Sequence, residues 1–178
     1  MTVLFGAAGA WRASVRLGSV GFEFEESDRI LERDVATRPP TPKRIALVEI
    51  SRNVGMTLCA LLSGRIVNDG TEWFSIGVAH SGPWPDDCQS MSVGDLGRRL
   101  CVGLPEEFAQ AVADGLLRFE PEHRPAGRLE VLGGGFDLVG SSESIFEVAA
   151  GLLKWALLAE NVTAAALAEF LKKLSAQA

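Results

Sequence analysis

Hydrophobic and polar positions alternate with a period of two from Trp11 to Leu17, where Trp11, Ala13, Val15 and Leu17 are separated by Arg12, Ser14 and Arg16. After Gly18-Ser19 the same period resumes in Val20, Phe22 and Phe24, separated by Gly21 and Glu23. Two such runs around a Gly-Ser turn predict a β-hairpin with one buried face. On the other face Arg and Glu side chains would meet across the strands in water. Thr37 to Lys43 holds three prolines and reads as a stiff loop, because proline cannot donate to a sheet ladder.

Arg44 to Ile50 reads as a buried strand. Val54 to Leu62 is a short apolar run that strand and helix fit equally by period. The turn signal Asn68-Asp69-Gly70 ahead of a strand from Glu72 to Ala79 favours strand. Ser81 to Gly97 is rich in Gly, Pro, Asp and Ser and reads as a loop. Further on, Pro105 and Glu106-Glu107 suit a helix start, and Phe108, Val112, Leu116 and Phe119 recur at helical spacing. Pro121 to Gly127 is a loop, Arg128 to Leu132 a short strand, and Gly133-Gly134-Gly135 a turn or bulge. Ser141 or Ser142 then caps a helix reaching about Glu160, apolar nearly all round and so central. A last amphipathic helix, roughly Thr163 to Ser175, carries Leu167, Phe170, Leu171 and Leu174 on one stripe.

The expected organisation is one α+β domain over residues 1–178: an N-terminal hairpin region (1–36), a core (44–160) and a C-terminal helix (161–178). A chain of 178 residues buries a sizeable core without staples. Hydrophobic residues at 47% and charged ones at 22% are globular proportions, which sets disorder aside. The net charge of −6 disfavours non-specific binding to nucleic acid and anionic membranes. Thirteen of the seventeen basic residues are Arg, the type suited to bidentate contacts. The first ten residues lack a signal peptide's basic leader, and Val148 to Ala159, broken by Lys154, is too short to span a bilayer. Three cysteines (Cys59, Cys88, Cys101) are an odd number in a chain of this size and read as reduced thiols in the cytoplasm.

Two motifs carry a family resemblance. Gly103-Leu104-Pro105-Glu106-Glu107-Phe108, followed by Ala111-Val112 and Gly115, is similar to a helix start in domain IV of translation elongation factor G. Gly133-Gly134-Gly135-Phe136-Asp137-Leu138-Val139-Gly140, followed by Ser141-Ser142-Glu143-Ser144-Ile145-Phe146, resembles that domain's second turn and helix. The likeness covers about residues 103–158. It implies a mostly antiparallel sheet with two packed helices on one face and a left-handed crossover, like the second domain of a small-subunit ribosomal protein. It further implies a macromolecular partner, the ribosome or RNA. Asp137 stands where the family's turn carries His, and a carboxylate repels RNA phosphates. The chain contains no Gly-x-x-x-x-Gly-Lys-Ser/Thr loop, so it is not itself a translocase.

Four candidate sites follow. Gly134, Gly135, Gly140, Ser141 and Ser142 form a candidate anion loop, because glycine amides and a helix N-terminus suit a phosphate. The same residue types make plain turns and caps. Arg98, Arg99, Arg124 and Arg128 form a candidate basic spot for a partner, against scattered solvated charge. His80, Cys88, Cys101 and His123 lack the tight pair spacings of structural zinc, so no metal and no cofactor is expected. Asp86, Asp87 and Asp95 sit in turn-like sequence with no nucleophile beside a base. The reading is a non-catalytic binding protein with a protein or ribosome as partner. Its alternatives are a small enzyme or phosphate-ligand binder using residues 133–142, and a homodimer held by the terminal helix.

Overall fold

A computed structural model describes residues 2–18, 30–36, 44–67, 73–85, 87–118 and 127–177. The strands are β1 (Thr2–Ala8), β2 (Trp11–Leu17), β3 (Ile30–Ala36), β4 (Arg44–Asn53), β5 (Thr57–Val67), β6 (Trp73–Ala79), β7 (Met91–Val93), β8 (Arg99–Val102) and β9 (Gly127–Phe136). The helices are α1 (Glu106–Arg118), α2 (Glu143–Leu158) and α3 (Ala164–Gln177). The main sheet runs β1-β2-β4-β5-β9-β6-β3, with β8 on the end of β9 and β7 on β8. Every pairing is antiparallel except β6 with β9. This is an α+β fold.

The helix-facing surface of the sheet is built by strict alternation. Ala13 and Val15 of β2, Ala46, Val48 and Ile50 of β4, Ala60 and Leu62 of β5, Ile76 and Val78 of β6, and Leu129 and Val131 of β9 form one buried cluster with the helices. α1 and α2 lie side by side on this face, with Phe108 stacked on Phe146 at 4.5 Å between ring centres. α3 lies over β1 and, less, β2. Its Leu167, Leu171 and Leu174 are buried, so the stripe that the sequence offered as a dimer face covers the core instead. Helix ends are satisfied by side chains. Ser142 caps α2 by accepting from the Ile145 amide, and Thr163 caps α3 through the Ala166 amide. Lys154, buried in α2, donates to the Leu116 carbonyl near the end of α1, and Arg44 donates to the Ala156 and Ala159 carbonyls at the end of α2. Each cation meets the negative end of a helix.

Three expectations are corrected. The hairpin partner of Trp11–Leu17 is residues 2–8, through the Gly9-Ala10 turn. The other edge of β2 is taken by β4 over its whole length; residues 20–25, like Thr37 to Lys43, lie outside the described set. The strands flanking 68–70 are not neighbours, because β9 inserts between β5 and β6. The two segments around the Asn-Asp-Gly signal therefore do not form a hairpin, and the signal itself is outside the described residues. Finally, Cys88 and Cys101 are joined in a disulfide, Cα to Cα 5.5 Å, and only Cys59 is a free thiol. The stretch expected as loop, 81–97, contains β7 and is tied by this bond to β8.

Gly115 is where α1 approaches α2 most tightly. A Cβ added there would come within 2.8 Å of the Glu147 Cα and closer still to its carbonyl oxygen. Gly115→Ala is therefore expected to destabilise the fold by about 1–3 kcal/mol in chemical denaturation, as overpacking does. Helix propensity alone predicts the opposite sign, a gain of about 1 kcal/mol, so a gain would refute the close crossing.

Candidate functional site

The second face of the sheet is covered in part by the segment leading into β8. Leu100 closes a small apolar cluster with Leu47, Cys59 and Leu61. Gly135 of β9 leaves room for it, since a Cβ there would sit 3.3 Å from the Leu100 Cβ. Next to this cluster lies a buried polar one. Glu49 of β4 is 1% exposed and accepts from the Leu96 amide at 2.7 Å. Gly94 rests directly on its carboxylate, where any Cβ would overlap it. Ser14 stands across from Glu49 in the β2–β4 register. Arg16 of β2 pairs with Asp95. Arg98 reaches the Asp137 carboxylate at 3.8 Å and the Cys59 sulfur at 3.9 Å. Glu49, Arg16 and Arg98 together latch the 94–98 turn onto the sheet.

Burial pushes the Glu49 carboxyl above the usual carboxylate range, and the nearby Asp95 charge adds to it; the Leu96 amide and Arg98 act the other way. Burial, then the Asp137 charge, raises the Cys59 thiol. A thiol held protonated is a poor nucleophile, so Cys59 is a packing residue rather than a reactive one.

The candidate anion loop is not one loop. Gly134 and Gly135 belong to β9, paired with Leu62 and Leu61 of β5, and Gly135 also with Val102 of β8. A one-residue register shift at Leu132 is the bulge that the glycines predicted. Gly140 lies in the β9–α2 turn, and its amide donates to the Asp137 Oδ1 at 2.8 Å; the Val139 amide does the same at 2.9 Å. Ser141 Oγ accepts from the Asp137 amide and donates to the Cys59 carbonyl at 2.6 Å. The carboxylate of Asp137 thus already holds the turn's donors that a phosphate would need.

The four arginines do not form one spot. Arg98 is in the latch, Arg99 is exposed on β8, and Arg124 is outside the described residues. Arg128 lies near the start of β9 while β8 pairs with its far end, where the antiparallel register sets Arg99 ten positions beyond Arg128, about 33 Å away at 3.3 Å per residue. Of the imagined zinc set, Cys88 and Cys101 are bonded to each other, His80 follows β6, and His123 is outside the described residues. Among the described residues no three His, Cys, Asp or Glu side chains are placed to hold a metal ion. Of the three candidate carboxylates, Asp95 is in the latch, Asp87 accepts from the Cys88 amide, and Asp86 is outside the described residues.

What the sequence did not single out is the end of the sheet. The Gly140 carbonyl accepts from the Cys59 amide at 2.6 Å, which sets the β9–α2 turn against the start of β5 and the β4–β5 turn. Both turns expose large apolar side chains: Val54 and Met56 on one, Leu138 and Val139, the latter 78% exposed, on the other. Met91 and Val93 are exposed on β7, which pairs with β8 beside the same end of β9. A shallow, open depression of about 380 Å³ adjoins the β4–β5 turn, lined by Gly9, Ala10, Arg12, Ser51, Asn53 and Thr57. Exposed apolar positions inside turn sequence were the available signal, since turns are ordinarily polar.

Compared with protein-family models, curated proteins and solved structures, the chain matches none of them. Among the described residues no helix is long and apolar enough to cross a membrane.

The raised Glu49 pKa has a definite sign. Folded Glu49 binds its proton more tightly than the unfolded chain does, so its stabilising contribution is full below the unfolded pKa and is lost as pH rises through the folded value. Glu49→Gln keeps an acceptor for the Leu96 amide and stays neutral. Its melting temperature is expected to exceed that of the wild type at pH 8 and to match it at pH 4. An equal difference at both pH values would show that charge burial is not the cause.

Proposed function

We propose that this chain is a non-catalytic binding protein that seats the end of its sheet on a protein partner. The observation that carries the reading is the set of exposed apolar side chains, Val54, Met56, Leu138 and Val139, on two turns that both meet the start of β5. Monomeric surfaces rarely gather large apolar residues on one spot without an interaction to serve. The turn's polar groups are used internally, by Asp137 and Ser141, so the tip offers shape and apolar area rather than donors. A polar rim, with Arg12, Ser51 and Asn53 beside it, is the usual surround of such a contact.

The side-by-side α1 and α2 on one face agree with what the resemblance to domain IV of elongation factor G implies, and the turn in question is the one that carries the second motif. This supports a macromolecular partner. It favours protein over RNA, because the tip is apolar, Asp137 sits within it, and the chain carries a net charge of −6. The phosphate-ligand reading loses its donors to Asp137 and to the β-ladder.

A photo-crosslinking residue at position 139, introduced in the intact chain in cells, is expected to give a discrete protein adduct. Leu138→Asp with Met56→Asp is expected to abolish that adduct while leaving the melting temperature unchanged. Binding to the partner so identified should fall at least about tenfold, or 1.4 kcal/mol. No adduct, or adducts indifferent to the two changes, would remove the tip from the function. Lysate fractionation at low salt separates the ribosome from other partners: a protein found only in the free fraction ends the ribosomal version.

A further inference from the structure

The two edges of the main sheet differ in a way that bears on association. An edge strand presents unpaired amides and carbonyls, and natural proteins blunt it with charge, proline or a bulge. β3, at one edge, carries Glu32, Arg33 and Asp34 within seven residues. β1, at the other, is Thr-Val-Leu-Phe-Gly-Ala-Ala: seven regular residues with no charge, no proline and an unbroken register to β2. Among the described residues nothing pairs with its outer side. Leu4 and Ala8 point under α3, while Phe5, on the opposite face, is 56% exposed. α3 sits close upon the strand, because a Cβ at Gly6 would run into Leu167 and Leu171. The helix segment above that point, Thr163 to Ala168, is also uncharged and small on its outer side. In a chain with 22% charged residues, this flank stands out as a continuous neutral strip of strand and helix.

We propose that β1 is the seam of a symmetric dimer in which it pairs antiparallel with β1 of a second copy, joining two sheets into one. A second copy is the occupant that fits. An antiparallel strand is its own complement across a two-fold axis, of equal length and with the same spacing of donors and acceptors. No like charges oppose each other at the axis, since neither strand has any. Phe5 meets its counterpart on the helix-free face, where cross-strand aromatic pairs are favourable. On the other face the neutral start of α3 approaches its own copy, while Lys172 and Lys173 lie farther along the helix toward Ser175, which bonds to Ala8 and not to the strand centre. This seam is separate from the tip and does not rest on the tip's role.

Sedimentation of the full chain at rising protein concentration is expected to give the dimer mass, with Phe5→Lys giving the monomer mass and an unchanged circular dichroism spectrum. In the wild type, amide hydrogen exchange across residues 2–8 is expected to slow as concentration rises. That second measurement stands even if the variant folds poorly. A wild type that stays monomeric at high micromolar concentration would overturn the proposal. So would a dimer that Phe5→Lys leaves intact while folded, or exchange at residues 2–8 that is indifferent to concentration.

Discussion

The insertion of β9 between β5 and β6 is the arrangement on which the rest of the molecule depends. Its antiparallel ladder to β5 and parallel ladder to β6 join the two halves of the main sheet. A parallel neighbour cannot be reached by a tight turn. The chain between β6 and β9 therefore has to leave the sheet and return, and it uses that excursion to build three things: the covering 81–98 segment, β8 and α1. The glycines at the end of β9 then admit close neighbours on both sides. Gly134 lies 3.4 Å, measured from a notional Cβ, from the Leu104 Cβ, and Gly135 lies under Leu100. Side chains at these two positions would push away the leader of α1 or the cover on the opposite face.

From this placement the tip follows. β9 ends beside the start of β5, and Asp137 comes immediately after it, where its carboxylate can fold back onto the amides of Val139 and Gly140. Arg98, arriving from the covering segment, meets the same carboxylate. Opposite charges at that distance and exposure contribute little to global stability. Their effect is local: they tie the cover, β5 and the β9–α2 turn to one point.

How much of this was legible depended on range. Elements fixed by their own period and caps were readable: the strand at 11–17, the strand at 44–50, the helix opening at Pro105 with Glu106-Glu107, and the helix capped by Ser142. The side-by-side helices were expected from the resemblance rather than from periodicity. Pairings were not readable. Gly18-Ser19 and Asn68-Asp69-Gly70 are good turn signals, but a turn signal does not say which strands become neighbours. The first lost to β1 and β4, which occupy both edges of β2, and the second to the insertion of β9. The three glycines signalled a break in the backbone, and the bulge falls at Leu132 immediately before them, while Gly134 and Gly135 sit in the ladder with close neighbours. Glu49 was invisible because an acidic residue inside an apolar run has no partner that sequence can name. Its partner is a backbone amide 47 residues away. The disulfide was missed for a similar reason: Cys88 and Cys101 are thirteen positions apart, and the β7–β8 pairing, with Met91 opposite Cys101, brings them together.

The distribution of satisfied and exposed groups bears on function more than any single residue does. Several polar groups near the end of the sheet bond within the chain: Glu49 accepts from the Leu96 amide, Asp95 pairs with Arg16, and Asp137 accepts from its own turn. Among the side chains that reach solvent at the end of the sheet are the apolar Val54, Met56, Leu138 and Val139. Binding costs entropy for every side chain and loop that must be ordered on contact, and a turn already locked by its own carboxylate avoids part of that cost. The same inward-turned Asp137 occupies the turn's amides and leaves Leu138 and Val139 facing solvent. In the proposed binding role Leu138 and Val139 are contact residues, since exposed apolar side chains otherwise invite association without specificity.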